Sequence, residues 1–171
     1  GKTVNQVLST PGRLTYSVAQ ASFDAWTRYY RPDENTANAT VSYYTKGSLV
    51  ALALDLALRE LPASGKAHPS LDGVMQRLWQ LARPITEADV AKALADEAGR
   101  YPQGLQVKSG TPVEQAWQAL LDKWTAQCEE LPLQHLLDRL GVAWSSKAAP
   151  LPQKWGMRVQ EINGATKVQA L

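Results

Sequence analysis

Ser48–Leu58 reads SLVALALDLAL: after the leading Ser, only Asp55 interrupts a run of Leu, Val and Ala. A helix drawn through this stretch is apolar on every face, which suits the middle of a core. At this length, and with Asp55 inside it, the run is too short to span a bilayer. The spacing predicts a helix from near Thr40 to about Glu60. The fold class that follows is mainly α: a bundle of five to six helices gathered around this one.

Toward the N-terminus, Thr10-Pro11-Gly12 is a turn, and Leu14, Val18, Ala21, Ala25 and Trp26 then recur at helical spacing. That helix should stop before Pro32, because a residue preceding proline is pushed out of the helical region. Residues 32–38 are polar and read as a surface loop. Toward the C-terminus, Pro62 to Pro69 is a loop, and Ser70 caps a helix carrying Leu71, Val74, Leu78 and Trp79 that ends before Pro84. Thr86–Asp89 is close to a capping box, opening a helix that ends near Gly99. Thr111-Pro112-Val113-Glu114 reads as N-cap, proline at the first helical position and acid at the third. The helix after it carries Val113, Ala116, Trp117, Leu120, Leu121 and Trp124 on one stripe. A last helix, Pro132 to Leu140, closes at Gly141.

The character then changes. Residues 145–153 form a Ser/Ala/Pro linker, and Trp155–Ile162 and Thr166–Leu171 read as two strands joined at Asn163-Gly164, the strongest two-residue hairpin signal. The expected domains are therefore a helical unit at 1–144, the linker, and the first strands of a β-rich unit at 154–171.

Composition narrows the chemistry. Of 171 residues, one is Cys and two are His, at 68 and 135, which excludes a disulfide framework, a thiolate zinc cluster and an ordinary His-based metal site within this stretch. A net charge of +2 without basic blocks gives no electrostatic reason to expect nucleic acid, and no membrane association is expected. Cys128 sits beside Glu129 and Glu130, whose charge opposes thiolate formation, so a Cys–His hydrolase built on Cys128 with His68 or His135 is a poor reading. Asp33 and Glu34 are neighbours in a loop, and Asp55 and Asp72 lie on separate helices; none has the opposed surroundings of an acid–base pair. Asn38-Ala39-Thr40 matches a glycosylation sequon, a three-residue pattern that arises readily by chance.

Val41–Gly47, VSYYTKG, differs in kind, with two Tyr, a Lys and a Gly at the mouth of the apolar helix. Tyr can bury its ring while presenting a hydroxyl donor to a cleft. Successive helical residues diverge by about 100°, so one tyrosine is expected to face a cleft and the other to pack. Gly is costly in a helix, which suggests close backbone packing at Gly47. Lys46 is expected to be structural or a surface charge.

Thr10–Arg13 (TPGR), Ser22–Trp26 (SFDAW), Tyr30–Asn35 (YRPDEN) and VSYYTKG, in this order, resemble the glycyl aminopeptidase family, thermolysin-like zinc peptidases with a trailing PDZ domain. Leu54-Asp55 with Arg59, Leu71-Asp72 with Met75 and Leu78-Trp79, and Glu130–Leu133 fit it too. The resemblance implies an aminopeptidase with Gly/Ala preference, acting on peptide substrates. It implies zinc held by an HExxH helix and a downstream Glu; no HExxH occurs in this sequence, so those ligands and the general base would lie upstream of Gly1. This chain would then be the helical C-terminal half of a catalytic domain plus the start of a PDZ domain, inactive and zinc-free alone. The resemblance further implies that Tyr44, followed by Lys46 and Gly47, is the catalytic tyrosine whose hydroxyl stabilises the oxyanion. Trp155-Gly156-Met157 fits the opening of a PDZ domain, and the hairpin is expected to pack on the helical body or to join a second copy through its open edge. The alternative is a non-catalytic helical protein-interaction module. No residue is assigned to substrate binding. The lone Cys fits cytoplasm or periplasm, with the cytoplasm favoured.

Overall fold

Apolar residues at positions 49, 50, 53, 54, 56, 57 and 58 lie on more than one face of a single helix, and all seven are buried. That helix, α4 (Tyr43–Arg59), is the axis of the fold. A computed structural model describes residues 1–62, 68–102, 108–145 and 158–170. Among them are α1 (Lys2–Leu8), α2 (Val18–Phe23), α3 (Thr36–Ala39), α4, α5 (Leu71–Gln80), α6 (Glu87–Ala98), α7 (Val113–Ala126), α8 (Leu133–Arg139) and a hairpin of β1 (Arg158–Ile162) and β2 (Ala165–Ala170). The mainly α class with a C-terminal hairpin is borne out, with eight helices among the described residues rather than five or six. None of them is long and apolar enough to cross a membrane.

The core joins α4 to α5, α6, α7 and α8 through Leu58, Leu61, Val74, Leu94, Trp117 and Leu136. Trp117 is fully buried, and its indole N–H donates to the Arg100 carbonyl at 3.0 Å, so the one polar atom of a large ring is satisfied inside. Asp55, the one acid in the apolar run, is also used: its carboxylate accepts the Leu71 amide at 2.8 Å and pairs with Arg59 at 2.6 Å, tying α5 to α4.

Several predicted boundaries hold for the predicted reasons. Ser70 accepts the Gly73 amide, and the Thr86–Asp89 capping box forms in both directions. Arg83 grips the Asp89 carboxylate with two bonds, 2.8 and 2.6 Å, and this pairing, with the Thr86 bonds, holds that carboxyl far below the usual range. Gly141, at φ +77°, ends α8 with the Val142 amide on the Leu137 carbonyl and its own amide on that of Asp138, the paired bonds of a Schellman motif. Asn163 and Gly164, at φ +53° and +76°, make the expected two-residue turn. Val159 faces Val168 across the hairpin, and Ile162 faces Ala165.

Other expectations are corrected. The single helix after Gly12 is three pieces: a 3-10 turn at Pro11–Leu14, α2, and a π turn at Ala25–Tyr29. The break comes from Ser17 and Gln20, which form a capping box and start a new helix inside the expected one. The N-terminal helix α1 and the short α3, inside the expected 32–38 loop, were not anticipated. Trp79, read as part of the α5 stripe, is 87% exposed. Thr111 does not cap α7, because Pro112, at ψ +143°, is still outside the helix and itself holds the N-cap position. Part of the expected 62–69 loop, the linker from residue 146 onward, Trp155-Gly156-Met157 and Leu171 lie outside the described residues. Val159, Ile162 and Val168 are exposed, so these hairpin side chains are not buried on the helical body.

Candidate active site

The N-terminal end of α4 is where burial gives way to surface. Val41 is buried, Ser42 accepts the Thr45 amide at 3.4 Å as the cap, and Tyr43 and Tyr44 occupy the first turn. Helical side chains lean toward the N-terminus, so at a helix start both tyrosines lean beyond the first turn, and their ring centroids lie 4.2 Å apart. The expectation that one faces a cleft while the other packs elsewhere is therefore corrected: Tyr43 and Tyr44 form one platform.

The π turn supplies the other side. The Tyr30 amide bonds back five residues to the Ala25 carbonyl at 3.1 Å, a geometry that recurs at functional sites. The Tyr29 ring meets Tyr43 and Tyr44 at centroid distances of 5.4 and 5.8 Å, in edge-on contacts, while Trp26 stacks 5.2 Å from Tyr30. The Tyr30 hydroxyl reaches that of Tyr44 at 3.3 Å and that of Tyr43 at 3.5 Å. Behind the turn, the Tyr16 hydroxyl bonds the Asp24 carboxylate, and the Arg28 guanidinium lies 5.2 Å over the Tyr16 ring. The bond to Asp24 raises the Tyr16 hydroxyl above the ordinary phenol value.

The hydroxyls are not equivalent. Hydrogen bonding from Tyr30, and then from Tyr43, holds Tyr44 below the ordinary phenol value, while bonding to Tyr30 and then to Tyr44 pushes Tyr43 well above it. Tyr44 remains 57% exposed and Tyr30 50% exposed, so both side chains reach the surface.

One turn further along α4, Lys46 is 3% exposed and its ammonium donates to the Arg13 carbonyl at 2.8 Å. Arg13 in turn pairs with Glu130 at 2.6 Å. Lys46 is thus a structural tie between α4 and the Pro11–Leu14 turn, and the surface-charge alternative is excluded. Burial lowers its pKa, opposed by the negative charge of Glu130. It lines a cleft of about 270 Å³ together with Leu49, Leu131 and Trp144. Gly47 does not serve close packing: a Cβ there would meet only Val18 Cγ1, at 3.9 Å. Close packing falls instead at Gly12, where a Cβ would collide with the Thr40 backbone, and at Gly73, where it would meet the Glu97 carboxylate.

The remaining candidates are dispersed. His68 Nδ1 lies 3.2 Å from the Leu61 carbonyl, His135 stands exposed on α8, and Cys128 is half-buried after α7. Asp33 caps its own loop through the Asn35 amide and the Thr36 hydroxyl. Among the described residues no three His, Cys, Asp or Glu side chains are grouped to hold a metal ion. The sequence placed Trp26 on a helical stripe and Tyr30 in the YRPDEN motif but gave neither, nor Tyr29, a part in a site, and Trp26 is 80% exposed rather than turned into a core. The available signal was the recurrence of a Tyr-Tyr pair, at 29–30 and again at 43–44.

The family model described as M61 glycyl aminopeptidase matches residues 1–50, a stretch that contains the π turn and the whole Tyr44-Thr45-Lys46-Gly47 segment. No curated protein matches the chain. No solved structure matches it either.

Proposed function

We propose that this chain is part of a metalloaminopeptidase and contributes the tyrosine that stabilises the oxyanion as a peptide bond is attacked. The observation that carries the reading is the exposed Tyr44 ring held against Tyr43 and Tyr29 with its hydroxyl 3.3 Å from that of Tyr30, inside the 50 residues similar to the M61 glycyl aminopeptidase family. Attack on an amide carbonyl builds negative charge on its oxygen, and a preorganised O–H donor beside it contributes about 2.7–4 kcal/mol to the transition state. Tyr44 suits that part because it is exposed enough to reach a substrate and is held by neighbours on one side.

The residues present do not fit a zinc site: the sequence has no HExxH, and its two His stand at 68 and 135. No step is therefore assigned to metal chemistry within this stretch. The proposed zinc ligands and general base belong to sequence preceding Gly1, with Gly/Ala-terminated peptides as the substrates that the family resemblance suggests. The hairpin is proposed as the opening of a PDZ-like unit that pairs with a second copy through one of its strands; a monomeric solution mass with a freely moving hairpin removes the pairing.

Two measurements test the reading. The purified 171-residue chain should hold no stoichiometric zinc, and stoichiometric zinc overturns the division of labour. In the enzyme with its upstream segment restored, Tyr44→Phe should lower kcat by about 10²–10³-fold with zinc content unchanged. The exposed Phe23 and Trp26, 89% and 80% accessible, favour a second reading as a non-catalytic interaction module. Full turnover in Tyr44→Phe would leave that reading standing.

A further inference from the structure

We infer that Tyr30 is a positioning residue for Tyr44, the middle member of a hydroxyl chain that runs Tyr43 to Tyr30 to Tyr44 and leaves the Tyr44 hydrogen pointing outward. This rests on the proposed oxyanion role of Tyr44 and adds the residue that would orient it.

The proposed role of Tyr44 sets the direction. A phenol hydroxyl carries one hydrogen and accepts through its oxygen. For Tyr44 to donate to a substrate oxygen, its own hydrogen must be free, so the contact at 3.3 Å has Tyr30 as donor and Tyr44 as acceptor. With its hydrogen spent there, Tyr30 can only accept from Tyr43 across 3.5 Å. The two outer hydroxyls respond accordingly: the one whose proton is engaged holds it harder, and the one that accepts releases it more easily. A donor whose oxygen already accepts a bond is also a stronger donor, because bonds in a chain polarise one another. Both distances are long for O–H···O bonds, and catalytic hydrogen bonds commonly tighten only once the substrate is in place.

The backbone is arranged for this contact. The extra residue in the Ala25–Tyr29 turn lets Tyr29 brace both rings of the α4 pair from their edges while Tyr30 brings its hydroxyl between theirs. Trp26, stacked at 5.2 Å, holds the Tyr30 ring in that place. The turn is held from behind by Tyr16, Asp24 and Arg28.

The test is a pH titration of the 171-residue chain carrying 13Cζ-labelled tyrosine, with Tyr44 assigned through Tyr44→Phe. Tyr44 should titrate below the ordinary phenol value of about 10, and Tyr30→Phe, which keeps the ring and removes only the hydroxyl, should move it up. Tyr43→Phe should move it the same way by less, and Tyr101→Phe, remote from the cluster, should leave it in place. A Tyr44 titration unmoved by Tyr30→Phe in a chain with wild-type helical content overturns the inference; if that variant loses helix, Tyr43→Phe decides in its place. In the complete enzyme, Tyr30→Phe should lower kcat roughly tenfold, less than loss of Tyr44 itself, and shift the alkaline limb of the rate profile upward. A Tyr44→Phe enzyme with unchanged kcat, beside a titration that does depend on Tyr30, would overturn the oxyanion role and not the hydroxyl chain.

Discussion

The two ends of α4 follow different rules. Its C-terminal two-thirds hold Ala53, Ala57 and Leu58 at 0–1% exposure among helices that touch it from several sides. Its first turn carries two partly open tyrosines that pack on each other and on Tyr29 of the π turn. Close packing stabilises the first region and leaves no room for a ligand. The second buries less and keeps hydroxyls within reach of one. One helix therefore serves as core at one end and as a site at the other, and the boundary between the two uses falls near Gly47.

That contrast can be broken. Trp117→Ala, in the core, should cost about 3–5 kcal/mol in denaturant unfolding, while Phe23→Ala, at a side chain 89% exposed at the end of α2, should stay within about 0.5 kcal/mol. Comparable losses would erase the distinction. Next in size, Tyr44→Phe should raise the catalytic barrier by about 2.7–4 kcal/mol yet leave the melting temperature of the isolated chain alone; a large drop in Tm would make Tyr44 a core residue after all. Two glycines then sharpen the boundary. Gly12→Ala should destabilise by about 1–3 kcal/mol through collision with the Thr40 backbone. Gly47→Ala should stabilise by roughly 0.8–1 kcal/mol, since the helix gains propensity and the new methyl makes only an ordinary contact. Opposite signs at the two positions, read by thermal melts, are the expected outcome.

The smallest effect concerns a helix end far from the site. Asp89 is held low by Arg83 and Thr86 in the native state. Its contribution is present above the unfolded carboxylate value of about 3.9 and is lost as pH falls below it. The stability gap between wild type and Asp89→Asn should therefore narrow as the solution is acidified below about pH 4. A gap that widens on acidification would contradict the pairing with Arg83.

Local signals were readable where a side chain serves its own backbone. Ser70, Thr86, Gly141 and Asn163-Gly164 each act within a few residues, so their effect is written in sequence order. The π turn was not readable in this way. Leu14, Val18, Ala21, Ala25 and Trp26 keep helical spacing, and that periodicity hid the break at Ser17–Gln20. Trp79 failed for the opposite reason: an aromatic beside a stripe implies burial only if another element arrives to cover it, and among the described residues none does. Tyr44 was singled out by its motif, whereas Tyr30 was given no part in the site because its partners lie 13 and 14 residues away.

What the sequence determined by itself is the helical class, the place of Ser48–Leu58 at the centre, the ends of α5, α6 and α8 and the hairpin turn, because each depends on hydrophobic pattern or on bonds between near neighbours. Only the tertiary structure decided that Lys46 is buried against the Arg13 carbonyl, that Gly12 and not Gly47 needs to be glycine, and that Tyr30, Tyr43 and Tyr44 meet. Those facts depend on which segments approach one another, and the pattern along a chain does not specify a contact between side chains on separate elements.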